Sequence, residues 1–132
     1  MKTKKVTGIV IVGCNPLSIL VTHFFQERGE KVVIIDTNPE FCAQAQDRNI
    51  QVIVSSAFDA NVLEEAGIRR MGTFLATTNN GEVNFVLAQR VAEEFDPPQV
   101  LAVYPKGSTA NFPTNQSQKV KQAFVSDLAI KQ

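Results

Sequence analysis

The sequence predicts an α/β fold, a doubly wound parallel sheet in three αβα layers. Three observations predict it. Short β-branched runs alternate with stretches of helical periodicity along the 132-residue chain. The apolar run Ile9-Val10-Ile11-Val12 leads into a tight turn at Gly13, a helix, and a second apolar run closed by an acid, Asp36. That second run is nearly continuous in Val and Ile, as a strand buried on both faces of a parallel sheet requires. The strand-turn-helix-strand unit so formed is the one that holds the adenosine half of a nucleotide in a Rossmann-like fold.

Each element follows from local chemistry. Pro16 falls where a first helical turn tolerates it, because the N–H it lacks would be unpaired there. Leu17, Leu20, Val21, Phe24 and Phe25 recur at helical spacing and are expected to form one buried face. Gly29 ends that helix as a C-terminal cap. Residues 31–35 make the second strand. Asn38-Pro39 starts a helix over 39–47 carrying Phe41, Cys42 and Ala45, and 51–54 is a third strand. After the loop Ser55-Ser56-Ala57-Phe58, Asp59 is an N-cap for a helix over 60–66 that turns Val62, Leu63 and Ala66 inward and stops at Gly67.

A fourth strand over 73–76 passes through the polar loop 77–81 into the longest helix, 82–95. There Val83, Val86, Leu87, Val91 and Phe95 are expected inward. Pro97-Pro98 ends it, and 99–104 is a fifth strand. From 106 to 119 the composition turns to Gly, Ser, Thr, Asn, Pro and Gln, which predicts an irregular loop. Residues 120–125 are expected as a sixth strand, followed by a truncated helix from Ser126-Asp127. The right-handed crossover rule leaves few other topologies.

Composition narrows the function. Hydrophobic residues make up 44% and charged residues 20%, the balance of one folded domain over 1–132. Thirteen basic and thirteen acidic residues give zero formal net charge. That argues against a nucleic-acid partner, or a membrane surface bound by electrostatics. The basic start at 1–5 is short, and the apolar run after it breaks at Gly13. It is neither a signal peptide nor a spanning helix, which needs about 20 apolar residues. Cys14 and Cys42 show no C-x-x-C spacing and there is one histidine, so no metal site is expected and a reduced, cytoplasmic setting is the default.

The candidate chemistry sits in the first crossover. A helix N-terminus aimed at the Gly13 turn offers N–H groups and a partial positive charge to an anion. Asp36 stands roughly 20 residues further on, where a ribose-binding acid stands, and its charge disfavours the 2′-phosphate of NADP. Its other reading is a solvated carboxylate at a strand end. Gly13-Cys14-Asn15-Pro16-Leu17-Ser18 keeps only the first glycine of G-x-G-x-x-G.

Asn15 occupies the glycine position that lets the backbone approach a pyrophosphate. Asparagine tolerates left-handed backbone angles, so the turn can form, but the side chain crowds a dinucleotide. A mononucleotide phosphate, or an Asn15 amide donating to a phosphate oxygen, stays open. Ser18 replaces the glycine of close helix–strand packing at little cost. Cys14 lies in a setting that activates thiols, although a small residue filling the turn is the favoured reading. Cys42 reads as helix packing. His23 has Glu27 four residues on, a surface pair, and a lone helical histidine makes no catalytic constellation.

Three stretches carry a likeness more specific than the glycine motif: VVIIDTNPE over 32–40, VIVSSAFDANVLEEAGI over 52–68, and FLATTNNGEVNF over 74–85. In them the chain resembles the nucleotide-binding half of an RCK domain (also called KTN or TrkA-N). That is the cytosolic regulatory module of K⁺ channels, K⁺ uptake systems and cation/proton antiporters. The likeness runs from residue 6 to 104, and the tail from Pro105 is nearer to the versions appended to antiporters.

The resemblance implies a sensor, not an enzyme. Such domains bind NAD(H), ATP, ADP or AMP at the carboxyl ends of the strands and pass a conformational change to a membrane pore. Carried over, Gly13 opens the phosphate turn and Asp36 accepts the ribose hydroxyls. Ser56 falls where the family usually has an acid contacting the adenosine, and Thr78 on a threonine beside the phosphate or a second nucleoside. With the flanking Cys14, Asn15, Pro16, Leu17, Thr37, Ala57 and Thr77 they form the expected nucleotide-binding set. Asn15, Ser18, Ser55-Ser56 and Asn79-Asn80-Gly81 depart from the family pattern.

The implied protein is a homodimeric regulatory domain at the inner face of the membrane, a fragment of a longer transporter chain or its cytosolic subunit. A membrane transport domain would then be its partner in cis or in trans. Two other readings stand beside it: an assembly domain of the same fold without a ligand, and a small NAD-dependent oxidoreductase. Against the last, no general acid–base pair is visible.

Overall fold

The structure is a computed structural model that describes residues 6–46, 50–104 and 120–123. Six strands form one parallel sheet: β1 (Ile9–Val12), β2 (Val32–Asp36), β3 (Gln51–Val54), β4 (Thr73–Ala76), β5 (Gln99–Val103) and β6 (Val120–Ala123). Their spatial order is β3-β2-β1-β4-β5-β6. β1 is central, with Val10 in register with Val33 on one side and Phe74 on the other. The chain winds outward one way through β2 and β3, then returns to β4 and winds the other way. The point of reversal lies between β1 and β4, where crevices open at the carboxyl ends of the strands of such sheets.

Among the described residues four helices cover the sheet: α1 (Pro16–Glu27), α2 (Pro39–Gln46), α3 (Ala60–Glu65) and α4 (Gly81–Glu94). Strand alternation divides the core into two layers. Val10, Val12, Val33, Ile35, Phe74 and Val100 pack with α3 and α4. Ile9, Ile11, Val32, Ile34 and Leu75 pack on the opposite face with Leu17 of α1 and Ala45 of α2. The predicted three-layer arrangement is therefore present, and the continuous apolar character of β1 and β2 comes from burial on both faces.

Two helix faces differ from expectation. Leu20 and Phe24, expected on the buried face of α1, are 52% and 55% exposed. The line against the sheet is made instead by Leu17, Ser18 and Thr22. Thr22 Oγ1 donates to Ser18 O at 2.7 Å, so the hydroxyl is satisfied within the helix and its small side chain can sit on the sheet. Val86 of α4 is likewise exposed, because the buried stripe runs through Asn84, Phe85, Leu87, Ala88, Val91 and Ala92.

The predicted ends are otherwise close. Gly29 (φ 75°) follows α1, with Gly29 N donating to Gln26 O and Glu30 N to Phe25 O, the double bond of a Schellman cap. Asp59 Oδ1 accepts from Asn61 N at 2.9 Å and caps α3. After Gly67 the chain makes a 3₁₀ turn, Ile68–Arg70, that sequence periodicity does not reveal. The expected loop over 106–119 and the helix from Ser126 lie outside the described residues.

Candidate functional site

The turn after β1 is built where two strand ends meet. Gly13 has φ 104°, and a Cβ there would come within 3.0 Å of Thr77 Oγ1 and 3.1 Å of Thr78 N. A side chain at this position would push the end of β1 away from the end of β4. Asn15 follows in an extended conformation (φ −157°, ψ 177°) as the N-cap of α1. The left-handed backbone that asparagine tolerates is not used here. Its Oδ1 accepts from Ser18 N at 2.9 Å, and Ser18 Oγ accepts from Asn15 N at 2.8 Å, a reciprocal capping box.

The Asn15 amide is committed as well. Nδ2 donates to Thr77 O at 2.7 Å and to Thr77 Oγ1 at 3.1 Å. Thr77 in turn donates through N and Oγ1 to Val12 O, at 2.8 and 3.1 Å. The amide suggested as a phosphate donor is thus a strut between the two strand ends. Ser18, wholly buried, both replaces the packing glycine and locks the turn.

Asp36 closes the same ring from β2. Its Oδ2 accepts from Cys14 N at 2.7 Å and its Oδ1 from Asn38 N at 2.8 Å. The carboxylate therefore fixes both the first turn and the entry to α2. An ionised carboxylate offers about four lone-pair sites, so roughly two remain for a ligand. Cys14 Sγ donates to Phe41 O at 3.2 Å, and Cys42 Sγ to Asp36 O at 3.7 Å. Burial, then the Asp36 carboxylate and Cys14, push the Cys42 thiol up to about 11, which keeps it neutral and suits the packing role read from the sequence.

The fourth strand end is held by a residue that sequence reasoning passed over. Asn84 is fully buried on α4. Its Nδ2 donates to Val103 O at 2.6 Å and to Thr78 O at 2.9 Å, while its Oδ1 accepts from Thr78 N at 2.9 Å and from Thr78 Oγ1. One amide side chain thereby ties the β4–α4 loop to the end of β5. The available signal was a polar residue on the inward stripe of an amphipathic helix. Asn80 caps α4, its Oδ1 accepting from Glu82 N and Val83 N.

Together these loops enclose a cleft of about 430 Å³ over the carboxyl ends of β1 to β4. Of the expected set, Gly13, Cys14, Asn15, Asp36, Thr37, Ser56, Ala57 and Thr78 line it. Pro16, Leu17 and Thr77 are not among its lining residues: Leu17 is packed in the core, Thr77 is buried behind Asn15, and Pro16 faces a second groove between α1 and α2. Ser56 Oγ accepts from Phe58 N at 3.2 Å, a turn hydrogen bond. Val12, Ile35, Phe41, Phe58, Val83 and Leu87 supply apolar wall. His23 is exposed and forms no salt bridge with Glu27 among the described residues. No group of three or more metal-ligating side chains occurs among the described residues, and no helix there is long and apolar enough to cross a membrane.

Comparison with known proteins places this geometry. A family model, the TrkA-N domain, matches residues 9–115. A Trk system potassium uptake protein TrkA from Streptomyces coelicolor is 31% identical over 87 residues, covering 65% of this chain and 39% of the relative. The chain spans about two fifths of the length of the curated relatives it matches. Among solved structures, the NAD(P)-binding domain of an exopolyphosphatase-related protein from Archaeoglobus fulgidus superposes with TM-score 0.69 at 13% identity, covering 93% of this chain and 91% of that one. The GsuK channel bound to NAD superposes with TM-score 0.64 at 18% identity, covering 78% of this chain and 19% of the channel. At these identities the structural likeness establishes the Rossmann-like fold.

Proposed function

Because the chain belongs to the TrkA-N domain family, we propose that it is the cytosolic regulatory domain of a K⁺ uptake system or related cation transporter or channel, and that it senses an adenine nucleotide. The observation that carries this reading is Asp36 at the rim of a preformed cleft, on the strand beside the sheet's point of reversal, with carboxylate capacity to spare. NAD in the GsuK neighbour and potassium uptake in the TrkA relatives support the ligand class and the partner. NAD(H), AMP, ADP and ATP are the candidates, and the Asp36 charge opposes NADP. The transport domain would be attached in cis or supplied in trans, holding this domain at the inner face of the membrane.

Catalysis is not part of the proposal. The described cleft lining contains one carboxylate and no histidine, lysine or arginine, so no acid–base pair converges there.

A second reading, assembly without a ligand, has its own observation. Leu20, Phe24 and Phe41 present apolar surface on α1 and α2, the kind of face a homodimer would cover. A thermal-shift titration with NAD⁺, NADH, AMP, ADP and ATP separates the two. A ligand at a hundred times its Kd adds about 2.7 kcal/mol. A shift that Asp36→Ala abolishes supports sensing. No shift with any nucleotide at millimolar concentration favours the assembly role.

A further inference from the structure

The turn after β1 is the place where a Rossmann-like domain presents backbone N–H groups to a pyrophosphate. Here all but one of those donors are already used. Gly13 N donates to Ile35 O, Cys14 N to Asp36 Oδ2, Asn15 N to Ser18 Oγ, and Ser18 N to Asn15 Oδ1. Pro16 has no N–H. Leu17 N–H is the one donor of residues 13–18 without a protein acceptor among the described residues. The side chains give no cationic substitute: the described cleft lining holds Ser, Thr and Asn but no Lys, Arg or His, and it carries the Asp36 carboxylate.

A pyrophosphate moved from water to such a surface would lose its hydration while gaining no cationic partner and, from the turn, only the N–H of Leu17 in return. An uncharged nucleoside suffers no such loss. Its base can lie against apolar wall such as Ala57 and Phe58, and its ribose diol can donate to Asp36.

We propose that this cleft selects the nucleoside rather than the phosphates, with Asn15, Ser18 and Asp36 as the residues that set the preference. The ligand class is an adenosine-type nucleoside with an unphosphorylated or singly phosphorylated ribose. Ligands that carry a pyrophosphate or triphosphate (ADP, ATP and NAD⁺) bind more weakly. The inference rests on the nucleotide-sensing reading above and narrows it.

Calorimetric titration of the chain with adenosine, AMP, ADP, ATP and NAD⁺ in one buffer tests it. The expected order places adenosine tightest, with ADP, ATP and NAD⁺ each at least tenfold weaker. Any of those three binding as tightly as adenosine overturns the selectivity and leaves nucleotide sensing intact. Binding of none of the five overturns both. Asn15→Gly, which frees Ser18 N–H and removes the side chain from the turn, should narrow the adenosine-to-ADP ratio at least threefold. A ratio unchanged in folded Asn15→Gly removes Asn15 from the assignment, and the wild-type order remains decisive if that variant does not fold.

Discussion

The turns after β1 and β4 do the same job with different wiring. Both carry a strand into a helix at the carboxyl edge of the sheet, and both begin their helix on an asparagine, Asn15 and Asn80. After β1 the lock lies within the turn: Asn15 and Ser18 satisfy each other, and the spare amide reaches across to Thr77. After β4 the lock comes from inside the helix, where buried Asn84 holds both the N–H and the carbonyl of Thr78. The first arrangement consumes all but one, Leu17 N–H, of the donors that would face a phosphate. The second leaves Thr78 at the cleft with its backbone fixed. A strand end can thus keep the shape of a nucleotide-binding turn while its hydrogen-bonding capacity is redirected inward.

That comparison is broken most severely at Asn84. Asn84→Leu leaves Thr78 N–H, Thr78 O and Val103 O without their buried partner. At 1–3 kcal/mol for each buried unsatisfied group, we expect a loss of about 3 kcal/mol or more, read by urea denaturation. A loss below 1 kcal/mol would mean that water or loop movement replaces the amide.

Asp36→Ala comes next. It removes the acceptor from Cys14 N and Asn38 N, and hydrogen bonds to a charged group are worth about 1.5–3 kcal/mol each. Both groups lie at the cleft and water can reach them, so the expected destabilisation is about 2 kcal/mol, together with loss of any ligand-induced shift. Retained ligand response in folded Asp36→Ala would place the ribose elsewhere.

Asn15→Ala should cost less, about 1 kcal/mol, the usual value of an N-cap. If it equals or exceeds Asn84→Leu in the same denaturation assay, the buried Asn84 lock is not the stronger of the two. Last comes a pH dependence from Cys42, which vanishes at neutral pH and grows only in alkali. Its thiol titrates at about 11 in the fold against an ordinary 9.0. Above pH 9 the unfolded chain releases this proton while the native one keeps it, so stability falls as pH rises from 9 towards 11. Cys42→Ser should flatten that part of the stability–pH curve, and an unchanged slope would assign it to other groups.

How far the sequence disclosed this molecule depends on what each residue had to satisfy. The strands were legible because double-sided burial demands unbroken apolar runs, as in Val32 to Ile35. The place of Asp36 at the end of β2 was legible because an acid closes an unbroken apolar run there. The α1 face misled, since Ser18 and Thr22 satisfy their hydroxyls locally and take the buried line that Leu20 and Phe24 were expected to hold. Asn15 was recognised as a departure from glycine. Its extended backbone could not be read, because asparagine serves equally as a left-handed turn residue and as an N-cap. Asn84 escaped for a related reason: its partners are backbone groups of Thr78 and Val103, and backbone partners leave no mark in a sequence.

In the proposed binding mode the adenosine half of a ligand is held over the carboxyl ends of β1, β2 and β3. Amide chemical-shift mapping by NMR, with AMP added to the ¹⁵N-labelled chain, tests it most directly. The predicted result is saturable perturbation concentrated at Gly13 to Asn15, Asp36 to Asn38 and Ser55 to Phe58. Perturbation confined to the outer surfaces of α1 and α4, or none at millimolar AMP, would contradict it.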